Sequence, residues 1–259
     1  MTGSFAGKTI AITGAAGGIG QWLCRFFGEE GATIAALDRS DKVLGLVDTL
    51  GKDGITVRPA QLELTDADAV QAAFAGFGEV HVLINNAGVS RYPVFAKTSP
   101  ADWNADIDAN LNAAYSCAHA VLPQMVERRA GSIVNVGSVN GVSALGDPAY
   151  SAAKAGMISL TRSLAQEYGR YGIRSNIVLP GTVRTPIWDE RKAKDPNVLK
   201  TLEKWYPLGR IVEPYEVARV IAFLASDLAS AVTGAVIPVD CGLTSGNIAM
   251  ARELTIEDF

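Results

Sequence analysis

The stretch TIAITGAAGGIG, residues 9–20, joins an apolar run to a glycine-rich turn. A short apolar run that ends in glycine is typical of a buried strand. The segment GQWLCRFFGEEGA, residues 20–32, repeats its apolar side chains with the period of an amphipathic helix. These residues therefore predict a strand, a tight turn and a helix, which together form the first half of a βαβ unit.

The same alternation of apolar runs and helical segments continues along the chain. Six further runs predict strands: TIAALD (33–38), ITVRPAQLEL (55–64), VHVLINNAG (80–88), GSIVNVGS (131–138), GIRSNIVLPG (172–181) and AVIPVD (235–240). Helices are predicted between them, near 41–51, after residues 65–66, over 100–129, over 148–171 and near 213–226. Strands that are apolar throughout belong to parallel sheets with both faces covered. The sequence thus predicts a doubly wound α/β fold of the Rossmann type, with its ligand beyond the carboxyl ends of the strands.

Composition sets the number of domains. A chain of 259 residues with 48% hydrophobic and 19% charged residues can bury one large core. We therefore expect a single domain over residues 1–259. A more polar segment near 183–209, which contains proline and tryptophan, is expected to cover the substrate side of that domain.

Charge and cysteine content exclude several classes of function. The 23 basic and 27 acidic residues give a net charge of -4 without a basic tract, so neither nucleic acid nor a membrane is expected as a partner. Three widely spaced cysteines and two histidines favour reduced thiols and no metal site. The start MTGSFAGK lacks an apolar signal core, and no apolar run reaches spanning length. We expect a soluble protein of the cytoplasm.

The first turn has the features of a phosphate-binding loop. Gly14, Gly18 and Gly20 follow a G-x-x-x-G-x-G spacing, which a plain glycine-rich turn can also show. The missing side chains let backbone N–H groups approach a pyrophosphate at the start of the helix. Asp38 ends the second predicted strand, where an acidic residue accepts hydrogen bonds from the adenosine ribose. This context favours a dinucleotide site over a plain turn.

A tyrosine and a lysine stand one helical turn apart in DPAYSAAKAGMISLTRSLAQEY, residues 147–168. Tyr150 and Lys154 therefore project from the same face of the predicted helix. On the pair alone, an accidental aromatic–cation contact on a surface helix is the simpler interpretation.

Six motifs in order resemble those of the short-chain dehydrogenase/reductase family, over about residues 5–245. They are TGAAGGIG (13–20), NNAG (85–88), Asn110 in DIDANL, Ser138 in IVNVGS, YSAAK (150–154) and PGTVRTP (180–186). The resemblance implies an enzyme that transfers a hydride between a nicotinamide cofactor and a CH–OH or carbonyl group.

The resemblance also implies a proton-transfer group. In this family the equivalent of Tyr150 is the general acid or base, and that of Ser138 holds the reacting oxygen. A free phenol has a pKa of about 10, and the ammonium of Lys154 is expected to lower it. Lys154 is also expected to bind the nicotinamide ribose. Asn110 resembles the asparagine that holds a water beside this lysine.

The cofactor contacts are carried over motif by motif. The expected residues are Gly14, Gly18, Ile19, Gly20, Asp38, Arg39, Glu63, Leu64, Asn86, Ala87, Gly88, Tyr150, Lys154, Pro180, Gly181, Val183 and Thr185. Val183 is expected to bond the nicotinamide carboxamide through its backbone. Two positions depart from the family pattern, because Glu63 replaces the usual aspartate beside adenine and Cys241 replaces a common glycine. We interpret Cys241 as a packing residue.

The substrate residues are the least defined by sequence. The expected walls of the groove are Arg91, Tyr92, Asn140, Ser143, Asp147, Trp188, Arg191, Trp205 and Tyr206, of which Asn140 and Trp188 are the chosen contacts. Polar groups mixed with tryptophan suit a sugar or polyol, although such residues can also merely cover their own loop. The order WYPLGR (205–210) and VDCGLTSGN (239–247) resembles sugar and polyol dehydrogenases of the family.

Three functions follow from these observations. The first is an NAD-dependent dehydrogenase of a sugar, polyol or similar hydroxy compound. The second is an NADPH-dependent carbonyl reductase of the 3-oxoacyl-thioester type, and the third is a non-catalytic NAD-binding regulator. The proton-transfer residues disfavour the third, because a redox sensor needs no proton relay. Repulsion between Asp38 and a 2'-phosphate favours NAD, whereas Arg39 is the cation that could reverse this preference.

Assembly follows from the helices near 101–129 and 149–171, which carry many small residues. Small residues let helices approach closely, so these faces are expected to be covered. The resemblance implies that they form a dimer interface within a homotetramer.

Overall fold

Seven parallel strands form one sheet at the centre of the computed structural model, which describes residues 5–91 and 94–257. The strands are β1 (Thr9–Thr13), β2 (Thr33–Asp38), β3 (Val57–Gln61), β4 (Val82–Asn85), β5 (Gly131–Val136), β6 (Ile173–Pro180) and β7 (Val236–Val239). Their order across the sheet is β3-β2-β1-β4-β5-β6-β7. The chain winds outward from β1 to one edge and then from β4 to the other, so a crevice opens between the carboxyl ends of β1 and β4. The predicted doubly wound α/β fold is confirmed.

Helices cover both faces of this sheet. They are α1 (Gly18–Glu29), α2 (Leu46–Gly51), α3 (Ala67–Phe77), α4 (Pro100–Ile107), α5 (Ala113–Arg128), α6 (Pro148–Tyr168), α7 (Asp189–Lys194), α8 (Val198–Leu202), α9 (Pro214–Ala225) and α10 (Ile248–Thr255). Within the described ranges, none of the helices is both long enough and apolar enough to cross a bilayer.

Alternation along β1 shows how one strand serves two cores. Ile10 and Ile12 are fully buried in the core that includes α1, α2 and α9. Ala11, between them, is buried in the core of the opposite face, with side chains of α3, α5 and α6. A strand buried on both faces has no polar face, which explains the continuous apolar runs of the sequence.

Helix starts agree with the signals in the sequence, but helix interiors do not always do so. The Asp66 carboxylate accepts a 3.0 Å hydrogen bond from the Ala69 N–H, so it caps α3 as predicted. Between α4 and α5 the chain forms one wide π-helical turn over Asp108–Asn112. Such turns are rare and recur at functional sites. The sequence did not predict this turn or the terminal helix α10.

Side-chain amides join the middle of the sheet to α6. Asn85 of β4 donates a 2.9 Å hydrogen bond to Asn135 Oδ1 of β5, and Asn135 donates a 2.8 Å bond to the Thr161 hydroxyl. Thr161 in turn donates to the Met157 carbonyl. All three polar side chains are buried, and buried amides must find such partners to avoid a desolvation cost.

Candidate active site

The glycine-rich turn leaves β1 in a conformation that suits glycine. Gly14 has a φ of +64°, and a Cβ at this position would lie 2.9 Å from the Cα of Ala87. A residue with a side chain would therefore be strained and would also push the turn away from the end of β4. The turn is pressed against the NNAG segment, which sets the position of the backbone N–H groups that open α1.

Thr13 and Asn86 hold the turn in place from both sides. The Thr13 hydroxyl accepts 3.0 Å bonds from the N–H groups of Asn86 and Ala87. The Asn86 carboxamide donates to the carbonyls of Thr13 and Gly14 at 3.0 and 3.1 Å. The sequence motifs predict Asn86 and Ala87 in the cofactor groove but do not indicate Thr13. Its position, at the end of β1 directly before the first glycine, was the available signal.

The Asp38 carboxylate at the end of β2 is fixed by the backbone. Its Oδ2 accepts from the Ala16 N–H and its Oδ1 from the Ser40 N–H, both at 3.0 Å. The first bond joins the carboxylate to the glycine-rich turn. The acidic group is therefore held beside the place where a dinucleotide would lie.

A cleft of about 1000 Å³ runs along the carboxyl ends of β1 to β4. Most of the predicted cofactor residues line it: Gly14, Gly18, Ile19, Asp38, Arg39, Glu63, Leu64, Asn86, Ala87, Gly88 and Thr185. Gly20 is instead buried inside α1, and Glu63 is exposed at the rim whereas Leu64 is buried. The cleft has the volume and the glycine-rich turn that a dinucleotide needs.

The loop after β6 closes the other end of this cleft. Pro180 ends β6, and Val183 pairs with Val212 in an isolated parallel bridge. The residues on either side of Val183 make the hydrogen bonds of that bridge. The Arg184 N–H donates to the Val212 carbonyl at 2.9 Å, and the Val212 N–H donates to the Thr182 carbonyl at 3.0 Å. The backbone of Val183 is thus held between two hydrogen-bonded neighbours, close to Thr185, which lines the cleft.

Ser138 and Tyr150 meet beyond the end of β5. Ser138 is buried at the start of a short turn, and its hydroxyl accepts a 3.2 Å bond from the Asn140 N–H. Burial raises the pKa of the Tyr150 phenol, the hydrogen bond with Ser138 lowers it and the charge of Asp147 raises it. Burial is the largest of these effects, so the pKa is raised, and the lowering that the sequence predicted from Lys154 is not found.

Lys154 lies inside the protein with one turn of α6 between it and Tyr150. Its side chain is 2% exposed, its Nζ donates a 2.8 Å bond to the Val136 carbonyl, and this Nζ lies 5.4 Å from the centre of the Tyr150 ring. Burial lowers the pKa of Lys154 from 10.5 to about 8. The pair is not an accidental contact on a surface helix.

Asn110 lies in the π-helical turn and reaches across to the NNAG segment. Its Nδ2 donates to the Val89 carbonyl at 2.8 Å, and its Oδ1 accepts from the Val89 N–H at 3.1 Å. A Cβ on Gly88 would lie 2.8 Å from Asn110 Oδ1 and 3.2 Å from Lys154 Nζ. The glycine thus lets the asparagine and the lysine approach the same point.

The residues expected on the substrate side have mixed positions. The Asn140 side chain bonds Ser138, and it donates to the Gly146 carbonyl and the Ser151 hydroxyl, both at 3.3 Å. Trp188 is partly buried, with the Arg191 guanidinium 4.8 Å above its ring. Asn140 is therefore joined to Ser138, whereas Trp188 packs against the small core that includes Leu199.

Tyr206 does not form a wall of the groove. It is only 4% exposed in a small core with Leu199 and Ile211, and its hydroxyl accepts a 2.9 Å bond from the Thr182 N–H. Tyr206 instead ties the segment 183–209 to the loop after β6. Trp205 is exposed, and Tyr92 lies outside the described residues.

An ion pair that the sequence did not predict supports the other wall. Arg91 bonds the carboxylate of Asp106 at 2.9 Å, and Asp106 is 1% exposed. The Asp106 carbonyl also accepts a 2.8 Å bond from Asn110. Arg91 and Asp106 therefore hold the loop after β4 against the helix that leads to the π-helical turn.

Comparison with known proteins agrees with this geometry. A family model described as enoyl-(acyl carrier protein) reductase matches residues 14–244. The crystal structure of an oxidoreductase of the short-chain dehydrogenase/reductase family from Burkholderia thailandensis is 52% identical, with a TM-score of 0.94 over 97% of this chain and 98% of that one. An uncharacterised oxidoreductase of Schizosaccharomyces pombe is 41% identical over 97% of this chain and 96% of its own length.

A 3-oxoacyl-[acyl-carrier-protein] reductase of Thermotoga maritima is also 41% identical, over 92% of this chain and 98% of its own. These matches span almost the whole chain, and they agree with the seven-stranded sheet. The chain belongs to the short-chain dehydrogenase/reductase family, whose members are NAD(P)-dependent oxidoreductases acting on CH–OH and carbonyl groups.

Proposed function

We propose that this oxidoreductase uses NAD to oxidise a CH–OH group of a small polyhydroxylated compound, such as a sugar or polyol. The observation that carries the proposal is the Asp38 carboxylate, with each oxygen bonded to a backbone N–H at 3.0 Å beside the glycine-rich turn. A fixed carboxylate there accepts bonds from ribose hydroxyls and repels a 2'-phosphate.

The residues of the cleft fit an NAD molecule. Gly14 keeps the glycine-rich turn packed against Ala87 at the wall of the cleft, and Asp38 lies at the adenosine end. The loop that includes Val183 and Thr185 would flank the nicotinamide, and Lys154 would bond its ribose. When bound, NAD supplies the hydride acceptor at its nicotinamide ring.

Proton transfer falls to the chain's own residues. The Ser138 hydroxyl would bond the oxygen of the reacting alcohol and hold it beside the Tyr150 hydroxyl. Tyr150 would remove the proton during oxidation and return it during reduction. With a pKa of about 8, Lys154 is mainly charged at neutral pH, and its ammonium would stabilise the phenolate. Asn110 would hold the water that exchanges protons with Lys154.

Polar side chains at the opposite end of the site favour a hydroxylated substrate. Asn140 lies two residues after Ser138 and already bonds it, so a second substrate hydroxyl could share this amide. Trp188 offers an aromatic ring on which the apolar face of a sugar could stack. This arrangement supports a small, polar substrate.

A second candidate is the NADPH-dependent reduction of a 3-oxoacyl thioester. Arg39 lines the same cleft as Asp38, and an arginine there can pair with a 2'-phosphate. The Thermotoga relative is named as a reductase of this class. In this alternative, the arginine rather than the carboxylate determines the choice of cofactor.

One assay separates the two candidates. The absorbance of the reduced cofactor is followed with NAD and NADP against polyols and aldoses, and with NADH and NADPH against acetoacetyl thioesters. The proposal requires that catalytic efficiency is highest for a polyol or sugar with NAD. Higher efficiency for a thioester with NADPH would replace it by the second candidate.

We also propose a homotetramer in the cytoplasm, built from the single domain predicted over residues 1–259. Support comes from α5 and α6, whose small residues permit close helix contact and whose exposed Tyr115 lies beside His119. Light scattering at micromolar concentration should give four times the chain mass of 27.2 kDa. A monomeric mass would contradict the tetramer.

A further inference from the structure

Asp147 has an unusual backbone at the start of α6. Its φ of 49° and ψ of 66° lie in the left-handed region, and it directly precedes Pro148. A residue before proline ordinarily adopts an extended conformation, and residues with a Cβ rarely have positive φ. Strain of this kind persists only where the surrounding contacts enforce it, and it concentrates at functional sites.

Those surrounding contacts are present on both sides of the residue. The Gly146 carbonyl accepts hydrogen bonds from Asn140 Nδ2 at 3.3 Å and from the Ser151 hydroxyl at 2.8 Å. The Asp147 carbonyl accepts a 2.8 Å bond from the Ser151 N–H. The backbone at Asp147 is therefore held by bonds that include Asn140, a predicted substrate residue.

The Asp147 side chain does not serve the helix that it begins. An aspartate in this position commonly accepts a hydrogen bond from the N–H groups of the first turn, but Asp147 makes no such cap. Its Oδ1 is buried and has no hydrogen-bond partner among the described residues. A buried carboxylate oxygen without a donor is costly, so this oxygen is suited to a donor that a ligand brings.

The carboxylate belongs to the segment that joins Ser138 to Tyr150. Asp147 stands three residues before Tyr150, and its charge contributes to raising the pKa of that phenol. Asn140 connects the strained loop to Ser138 on the other side. The unused oxygen thus belongs to the loop that Asn140 joins to Ser138 and that leads directly into the helix of Tyr150.

We propose that Asp147 determines substrate specificity by accepting a hydrogen bond from a second hydroxyl, on the carbon next to the reacting CH–OH group. The inference rests on the proposed function and narrows its substrate class to vicinal diols and α-hydroxy ketones. A monohydric alcohol has no donor for this oxygen and leaves the cost of its burial uncompensated.

The test compares Asp147→Asn with the unmutated enzyme on 2,3-butanediol and 2-butanol with NAD. Asparagine has the same size and tolerates positive φ, so the fold should be retained, but the negative acceptor is lost. We expect kcat/KM for the diol to fall at least about tenfold more than kcat/KM for 2-butanol, because losing the Asp147 charge near Tyr150 affects both substrates alike. Asp48→Asn, an exposed aspartate of α2, is the matched control and should change neither. Equal losses for both alcohols would overturn the inference without affecting the proposed function.

If neither alcohol reacts, that result counts against the proposed function alone. A binding measurement then still tests the inference. The readout is the rise in Tm that 2,3-butanediol produces in the NADH complex, and Asp147→Asn should abolish it. An unchanged rise would overturn the inference. If the asparagine variant fails to fold, Asp147→Gly replaces it, because glycine adopts this backbone freely. The same outcomes then apply.

Discussion

The adenosine end of the cleft and the proton-transfer residues beyond β5 handle charge in opposite ways. At the adenosine end, both oxygens of the Asp38 carboxylate accept hydrogen bonds from backbone N–H groups. At the proton-transfer end, burial raises the pKa of Tyr150 and lowers that of Lys154. Lys154 is 2% exposed and bonds the carbonyl of Val136. One end therefore stabilises a fixed charge, whereas the other disfavours charge on both of its groups.

This difference corresponds to two tasks. A charge that must discriminate between NAD and NADP should be constant, so backbone dipoles stabilise it before any ligand arrives. Groups that must gain and lose a proton should have pKa values that move with the local environment, and burial makes them sensitive to it. Each end can be tested by changing one side chain.

Removing the proton donor at the reaction end should give the largest effect. Tyr150→Phe retains the ring and its packing, and kcat should fall by at least about a hundredfold, the usual contribution of a positioned acid or base. The affinity for NADH, measured by fluorescence, should remain unchanged, which serves as the control. Turnover close to that of the unmutated enzyme would mean that Tyr150 is not the proton-transfer group.

Removing the fixed charge at the adenosine end should give the next largest effect. Asp38→Asn preserves the shape of the side chain, and the ratio of kcat/KM for NADP to that for NAD should rise by about thirtyfold, because roughly 2 kcal/mol of repulsion is lost. Glu63→Gln removes an exposed carboxylate from the rim of the same cleft and should change the ratio much less. A ratio that responds equally to both variants would show that Asp38 has no special role.

The pH dependence of stability should give the smallest effect. Because the pKa of Lys154 is about 8 in the folded chain and about 10.4 in an unfolded one, the unfolded state binds more protons between these values. The free energy of unfolding should therefore rise from pH 8 to pH 9.5, by about 1 to 2 kcal/mol more than in Lys154→Met.

Chemical denaturation at several pH values measures this difference. Lys52→Met provides the control, because Lys52 is exposed to solvent and its removal should leave the pH dependence of stability unchanged. Equal slopes for Lys154→Met and the unmutated chain would show that the ammonium is not destabilised by burial.

The sequence predicted the fold well because each strand is buried on both faces and therefore has a continuous apolar run. The sequence also predicted that Gly14 lies in a tight turn and that Asp38 ends a strand, because both positions belong to short local motifs. It missed the role of Thr13, whose hydroxyl bonds Asn86 across 73 residues of sequence. A contact between distant segments leaves no periodic pattern in either of them.

The segment 183–209 shows the same limit. Tyr206 was expected in the groove wall, but it is buried with Leu199 and Ile211. This segment forms several short helices, and each is too short to show a periodic pattern of apolar residues. The sequence therefore does not indicate which face of the segment is buried. The helix α10 did leave a signal, because the Asn247 side chain caps it by accepting from the Met250 N–H.

The buried amides of β4 and β5 bear on how the chain avoids misfolding. A shift of two residues between these strands would keep every side chain on its own face, so the apolar pattern alone does not forbid it. In the native register Asn85 lies opposite Asn135, whereas the shifted registers would place it opposite Ile133 or Gly137. Each amide would then be buried without its partner. The apolar side chains alone would permit several alignments of β4 against β5. The pair of asparagines selects one of them.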